Sequence, residues 1–244
     1  MSGHSKWANI KHKKGKTDAL KAKVTTKISR EITVAVRMGG ADPTGNMRLK
    51  LVLQKARENN IPKDNIKRAI DKGLGAGDAA AYEEMVYEGY GPNGVAVTVN
   101  VMTDNKNRAA ADVRHAFSKN GGSLGATGCV AWMFKSKGIF VIDAEGHDEE
   151  EVMMIALDAG AEDFKSEDGA FEIYTIPEGF DAVEAALADA GIETQVAKIS
   201  MVPDTYVELN GEDAEKMQKM LDALEDLDDV QDVFHNGLLP DDEE

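Results

Sequence analysis

The sequence contains a single cysteine among 244 residues. One thiol cannot close an intramolecular disulfide, which excludes a disulfide-stabilised secreted fold and predicts a reducing, cytoplasmic environment. Cys129 stands in the apolar run CVAWMF, which favours a buried thiol at the end of a strand over a reactive one. No hydrophobic run approaches the ~20 residues of a membrane helix, and Met1 leads into charged residues. We therefore expect no membrane partner and no secretory signal.

Acidic residues are absent from the first 16 positions, MSGHSKWANIKHKKGK, although the whole chain has a formal net charge of -16. Residues 1–72 hold 18 Lys and Arg against 6 Asp and Glu, a net charge of +12, and residues 73–244 carry -28. This asymmetry points to a polyanion as the partner of the basic part. The acidic remainder would repel that partner elsewhere and so help to orient it.

Patterns typical of catalysis or cofactor binding are also missing. The five histidines show no H-x-x-x-H or Cys/His ligand spacing, and the acidic clusters at 148–151 and 212–213 fall in predicted first helical turns, where carboxylates offset the helix dipole. Gly89, Gly91 and Gly94 have G-x-G-x-x-G spacing, but the last opens an alternating strand, which favours a hairpin over a dinucleotide site. We therefore expect no enzyme, cofactor, metal or small-molecule substrate. A metal-dependent nuclease is the less favoured alternative.

Three helices are predicted in the first 72 residues. The first covers about 18–38 and stops at the glycine pair 39–40, the second follows DPTGN, and the third runs from Pro62 to Gly73. Beside the apolar face of the first helix, four bases share an arc roughly 80° wide by helical geometry. These bases are Lys23, Lys27, Arg30 and Arg37.

Beyond the helices the periodicity changes. EEMVYEGY and GVAVTVNV predict a hairpin, CVAWMF predicts a further strand, and residues 138–202 follow the β-α-β-β-α-β order of the ferredoxin-like plan. The β-α-β unit after Pro203 would bury little surface alone, so we expect it to return and complete the first sheet. The predicted fold class is α+β multidomain, an N-terminal basic three-helix bundle followed by two ferredoxin-like α/β domains, one inserted in the other.

Domain boundaries follow from the same pattern. The small-residue linker GLGAGDAAA predicts a bundle that can reorient relative to the acidic domains. The predicted units are a basic helical bundle (1–73), a linker (74–81), a discontinuous α/β domain (82–136 plus 203–237), an inserted ferredoxin-like domain (137–202) and an acidic tail (238–244).

The basic segment carries the predicted binding chemistry, because lysines neutralise phosphates and release counterions whatever the base sequence. Two interpretations of Trp7 stay open, stacking on an unpaired base and anchoring the N-terminus against the bundle. For the bases, the alternatives to nucleic-acid binding are a solvated face or docking onto the protein's own acidic half. The predicted nucleic-acid-binding residues are Lys6, Trp7, Lys11, Lys13, Lys14, Lys16, Lys23, Lys27, Arg30 and Arg37.

Several long motifs, including GHSKWANIKHKKGKTDA, NNIPKDNIKRAIDKG, YEGYGPNGVA, TDNKNR, VRHAFSKNGGSLG and DDVQDVFHNG, resemble the YebC/PmpR family over nearly the whole chain. The resemblance implies a helical bundle and two α/β domains, one inserted in the other. Family members are described as probable transcriptional regulators that bind DNA, and some relatives as translation factors acting at the ribosome. It therefore implies a DNA-binding regulator, with a ribosome-associated factor that contacts ribosomal RNA as the alternative. The resemblance implies no catalytic residue and leaves the oligomeric state open.

Overall fold

The structure is a computed structural model that describes residues 18–75, 82–167 and 169–240. Within these ranges three helices precede two four-stranded antiparallel sheets that carry four further helices. The helices are α1 (Asp18–Gly39), α2 (Met47–Glu58), α3 (Lys63–Gly73), α4 (Lys106–Lys119), α5 (Glu149–Asp158), α6 (Phe180–Asp189) and α7 (Gly211–Asp226). The strands are β1 (Glu83–Tyr90), β2 (Ala96–Thr103), β3 (Ser123–Leu124), β4 (Phe134–Asp143), β5 (Asp163–Glu167), β6 (Ala170–Thr175), β7 (Val196–Pro203), β8 (Val207–Glu208), β9 (Val230–His235) and β10 (Gly237–Leu238).

The helices α1, α2 and α3 form a bundle with its own apolar core, which includes Ile28, Ile32 and Leu49. Asn46 joins two of them, because its side chain accepts a hydrogen bond from the Leu49 amide at the start of α2 and donates to carbonyls at the end of α1. Gly73 allows α3 to approach α1 closely, since a Cβ there would lie 2.6 Å from the Cβ of Val36. The three predicted helices are therefore present.

The first sheet has the strand order β3-β1-β2-β9, so the chain returns after the second sheet to add β9 beside β2. One face of this sheet packs under α4 and α7 around a core that includes Val97, Val99, Phe117 and Met217. GVAVTVNV forms β2, as its alternation predicts, with Val97, Val99 and Val101 in this core. The other face of the strand is also buried, except at the half-buried Asn100. The GPN turn forms the hairpin between β1 and β2, with Asn93 and Gly94 at positive φ.

The second sheet has the order β5-β6-β4-β7, which is the strand arrangement of the ferredoxin-like plan. Helices α5 and α6 cover one face through Val152, Val183 and Leu187, and Phe140 stacks on Phe180 with ring centroids 4.7 Å apart. Because this sheet lies in the chain between β3 and β9, one sheet domain is inserted in the other. The α+β multidomain fold class is confirmed, and the exact domain boundaries stay a prediction.

The prediction of a strand over CVAWMF is wrong. Glu88 is 4% exposed, and its carboxylate accepts hydrogen bonds from the amides of Gly128, Val130 and Ala131 at 2.7–2.9 Å. These amides are therefore unavailable to a neighbouring strand. The segment forms a loop and a 3-10 turn over Ala131–Met133, and β4 begins only at Phe134. The half-buried Cys129 lies in this loop.

Candidate nucleic-acid interface

The predicted arc of bases on α1 faces the first sheet domain. Lys23, Lys27 and Arg30 follow one another at spacings of four and three residues, so their side chains leave the helix on the same side. All three reach the segment 225–229, where α7 ends and the chain turns into β9. In the structure these three side chains dock onto the protein's own acidic half, which is one of the alternatives raised from the sequence. We name Lys23, Lys27 and Arg30 the helical trio.

Two members of the helical trio bind the C-terminal end of α7. Lys23 Nζ lies 2.5 Å from Asp226 Oδ1 and 3.0 Å from the Asp226 carbonyl oxygen, and Lys27 Nζ donates to the Glu225 carbonyl at 2.7 Å. The last carbonyls of a helix have no intrahelical partner and carry the negative end of the helix dipole, so cations are favoured there. Burial lowers the pKa of Lys27, and the nearby Glu225 partly opposes that shift.

Arg30 makes the most buried contact of the three. Its Nη1 lies 3.0 Å from Asp229 Oδ1, 2.9 Å from the Asp228 carbonyl and 3.2 Å from the Met102 carbonyl. The side chains of Arg30 and Asp229 are 15% and 10% exposed, so water screens this pair far less than it screens Lys23 and Asp226. The guanidinium also lies over the ring of Tyr82, 5.0 Å from its centroid.

Asp229 is the common acceptor of three donors. Besides Arg30, it accepts from Arg108 Nη2 at 2.8 Å and from the Thr103 hydroxyl at 2.9 Å, both on Oδ2. Hydrogen bonds to Asp229 and Asp104 raise the pKa of the Arg108 guanidinium, so this arginine stays charged. Asp229 thus connects α1, the β2–α4 turn and the start of β9.

The second bundle helix also contacts acidic side chains. Lys55 Nζ lies 2.9 Å from Glu31 Oε1 and 3.6 Å from Asp232 Oδ1 on β9. Burial raises the pKa of Glu31, and Lys55 opposes the shift. Burial alone would lower the pKa of Lys55, but Asp232 and Glu31 outweigh it, so the net shift is upward. These charges therefore stabilise one another at the contact between bundle and sheet.

Both sheet domains touch the bundle through α2. Lys50 Nζ lies 2.5 Å from Asp181 Oδ2 on α6, Gln54 donates to Glu184 at 3.1 Å, and Arg48 forms a two-pronged ion pair with Glu84. These three contacts of α2 with the two sheet domains are polar, like those of the helical trio. A cleft of about 470 Å³ between α1 and the α4–α7 layer is lined by Lys23, Arg30, Arg108 and the carboxylates of residues 112, 226, 228 and 229.

The predicted site residues divide into three groups. The helical trio is docked, and Arg37 is exposed in the last turn of α1. The remainder lies outside the described residues: Lys6, Trp7, Lys11, Lys13, Lys14 and Lys16. Their assignment to nucleic acid stays a prediction.

Sequence reasoning missed the cluster in which Asp229 accepts hydrogen bonds from Arg30, Arg108 and Thr103. Thr103 and Arg108 belong to the motif TDNKNR, and Asp229 belongs to DDVQDVFHNG, so the signal was the presence of both motifs in the resemblance. The structure brings these two motifs together around one carboxylate. Periodicity could not pair them because they lie 121 residues apart, from Arg108 to Asp229.

Two features are absent from the described ranges. No group of three His, Cys, Asp or Glu side chains there is arranged to hold a metal ion. Among the helices within those ranges, none is long and apolar enough to cross a membrane.

The fold and the docked bases define a class of protein in which a basic helical bundle contacts two acidic α/β domains through ion pairs. The chain belongs to the TACO1/YebC family: residues 5–76 match the model of the TACO1/YebC protein N-terminal domain, and residues 82–237 match that of the TACO1/YebC second and third domain. The resemblance seen in the sequence motifs is thereby confirmed.

Relatives are similar over the full length. A probable transcriptional regulatory protein of Desulforamulus reducens is 58% identical over 97% of this chain and 98% of its own. Another of the same description, from Clostridium tetani, is 55% identical over 100% of both chains. The crystal structure of a conserved hypothetical protein from Aquifex aeolicus has a TM-score of 0.82 at 45% identity and covers 98% of each chain.

Proposed function

We propose that the protein is a cytoplasmic, non-enzymatic nucleic-acid-binding regulator of gene expression that acts on DNA. The observation that carries the proposal is the separation of charge, +12 in residues 1–72 against -28 in the rest. The name shared by these relatives, probable transcriptional regulatory protein, supports the choice of DNA.

The two parts of the basic segment have different roles in this proposal. The lysines of residues 6–16, which we name the arm, follow a phosphate backbone and supply most of the charge-dependent affinity. The helical trio, fixed on one face of α1, sets the position of the bundle on the nucleic acid. The acidic sheet domains repel the polyanion and so restrict it to the bundle side.

Cross-linking in cells, followed by sequencing of the bound nucleic acid, tests this function. We expect DNA from promoter regions to be enriched over the input. Enrichment of ribosomal RNA in its place would overturn the DNA assignment and favour the translation factor implied by the family resemblance. Carrying the arm variant Lys11→Ala/Lys13→Ala/Lys14→Ala through the same experiment provides the control, because specific recovery should fall with the arm charge.

The non-enzymatic part of the proposal has its own test. Labelled DNA and RNA incubated with the protein and Mg²⁺ or Mn²⁺ should stay intact, because the described residues offer no metal-binding cluster of carboxylates or histidines. Metal-dependent cleavage that copurifies with the protein and is abolished by chelation would contradict it.

A further inference from the structure

The helical trio is engaged by oxygen acceptors that a phosphate backbone also offers. Along the segment 225–229, carbonyl and carboxylate oxygens receive Lys23 at residue 226, Lys27 at residue 225 and Arg30 at residues 228 and 229. A phosphodiester chain presents a comparable row of anionic oxygens to bases on one helical face. The acidic segment therefore occupies the same side chains that the proposed function assigns to nucleic acid.

The bundle can separate from the first sheet domain without losing its own fold. The apolar core of the bundle, around Ile32 and Leu49, shares no residue with the core of the first sheet domain, around Val99 and Met217. The described contacts of the helical trio across the boundary are ion pairs, hydrogen bonds and the stacking of Arg30 on Tyr82, with a cleft beside them. Such contacts weaken in salt and in the presence of competing polyanions, whereas an apolar interface would not.

The strength of the contact is graded along α1. At the outer end, Lys23 and Asp226 are 36% and 68% exposed, so the pair is screened and readily exchanged. At the inner end, Arg30 and Asp229 are largely buried. When Arg30 leaves, Asp229 keeps the donors Arg108 and Thr103, so undocking does not strand a carboxylate without a partner.

We propose that the structure is a closed state, in which the end of α7 covers the helical trio, and that a nucleic acid opens the protein by competing for these bases. This inference rests on the proposed function, and adds to it a regulatory contact within the chain. Opening begins at Lys23 and releases Arg30 last. The negative end of α7 thereby selects for ligands with enough phosphates to displace it, and disfavours short or weakly charged ones.

A distance measurement between two labels tests the opening. Asp71→Cys on α3 and Asp213→Cys on α7 are exposed sites, and Cys129→Ser removes the native thiol. With spin labels on the full-length protein, addition of a mixed-sequence duplex DNA should shift the distance distribution to longer values. A mononucleotide at the same phosphate concentration should leave the distribution unchanged.

A set of charge variants shows whether the acids at the end of α7 restrain the opening. Glu225→Gln/Asp226→Asn/Asp228→Asn removes three charges facing the trio and leaves the carbonyl acceptors in place. The matched control removes three exposed carboxylates from the inserted domain: Glu145→Gln, Glu150→Gln and Glu178→Gln. The first triple should open the protein without DNA and bind the duplex about threefold to tenfold more tightly than the control triple.

The outcomes separate this inference from the function on which it rests. DNA binding by the wild-type protein without a distance change, and with equal affinities of the two triples, would overturn the closed-state inference alone. Absence of DNA and RNA binding by the wild type and by both triples would overturn the proposed function and the inference together. Longer distances on DNA binding, with tighter binding by the first triple, support both.

Discussion

Arg30 and Asp229 form an ion pair across 199 residues of sequence, with 3.0 Å between Nη1 and Oδ1. The opposite oxygen of the same carboxylate receives Arg108 and Thr103. A helix of the basic bundle and a turn of the first sheet domain are therefore held by one buried acid.

Replacement of this acid should destabilise the protein. Asp229→Asn leaves two guanidinium groups facing a neutral amide, and we expect the free energy of unfolding to fall by about 2–4 kcal/mol. Chemical denaturation at neutral pH measures the change. Asp228→Asn is the control, since only the carbonyl of Asp228 contacts Arg30, and its effect should stay within about 0.5 kcal/mol. Equal effects of the two variants would contradict the role given to Asp229.

Glu88 should make the free energy of unfolding depend on pH in the acidic range. Burial alone would raise the pKa of Glu88, but the amides of Gly128, Val130 and Ala131 outweigh it, so the net shift is downward from 4.5. A lowered folded-state pKa means that the contribution is fully present above about 4.5, the unfolded value, and is lost as the pH falls through the folded value. Glu88→Gln should cost about 1–3 kcal/mol at pH 7, since the amide nitrogen cannot accept these hydrogen bonds.

Stability curves against pH check this assignment. Below pH 4.5, the Glu88→Gln curve should be flatter than that of the wild type, because the variant has no proton to take up at this position. Glu145→Gln, an exposed carboxylate, serves as the control and should leave the curve unchanged. Parallel curves for Glu88→Gln and the wild type would show that Glu88 titrates normally in the folded protein.

A side chain at Gly73 should destabilise the bundle. A Cβ at this position would lie 2.6 Å from Val36 Cβ and 2.8 Å from the Thr33 carbonyl oxygen, so Gly73→Ala must push α3 away from α1. We expect a loss of about 1–3 kcal/mol in the free energy of unfolding, which exceeds the gain in helix propensity at this last helical residue. Thermal unfolding measures this change, and Gly45→Ala, where a Cβ would meet nothing within 4 Å, should be nearly neutral in the same experiment.

The sequence predicted the elements better than their contacts. Helical and strand periodicity located the three bundle helices, the β1–β2 hairpin and the βαββαβ order, because each of these depends on local spacing of apolar residues. The apolar run CVAWMF failed as a strand because Glu88, 40 residues before Gly128, takes its amides. A hydrophobic pattern contains no information about such a distant acceptor.

The candidate site was predictable only in part. The arc of bases on α1 follows directly from helical spacing, and the structure places the helical trio on one side as expected. The sequence does not show which acidic residues contact these bases, because 38 acidic residues are spread along the region beyond position 72. Tertiary folding selects the segment 225–229 because the end of α7 adds unsatisfied carbonyls to its carboxylates.

The central claim is that the basic arm binds nucleic acid, and the salt dependence of duplex DNA affinity tests it most directly. The wild-type affinity should fall steeply with salt, and Lys11→Ala/Lys13→Ala/Lys14→Ala should reduce the logarithmic slope by about two to three. A control triple at exposed bases of the bundle, Arg57→Ala/Lys63→Ala/Lys67→Ala, should change the slope by less than about one. If the arm variant kept the wild-type slope and affinity while remaining folded, the arm would not contact phosphates and the proposed function would be wrong.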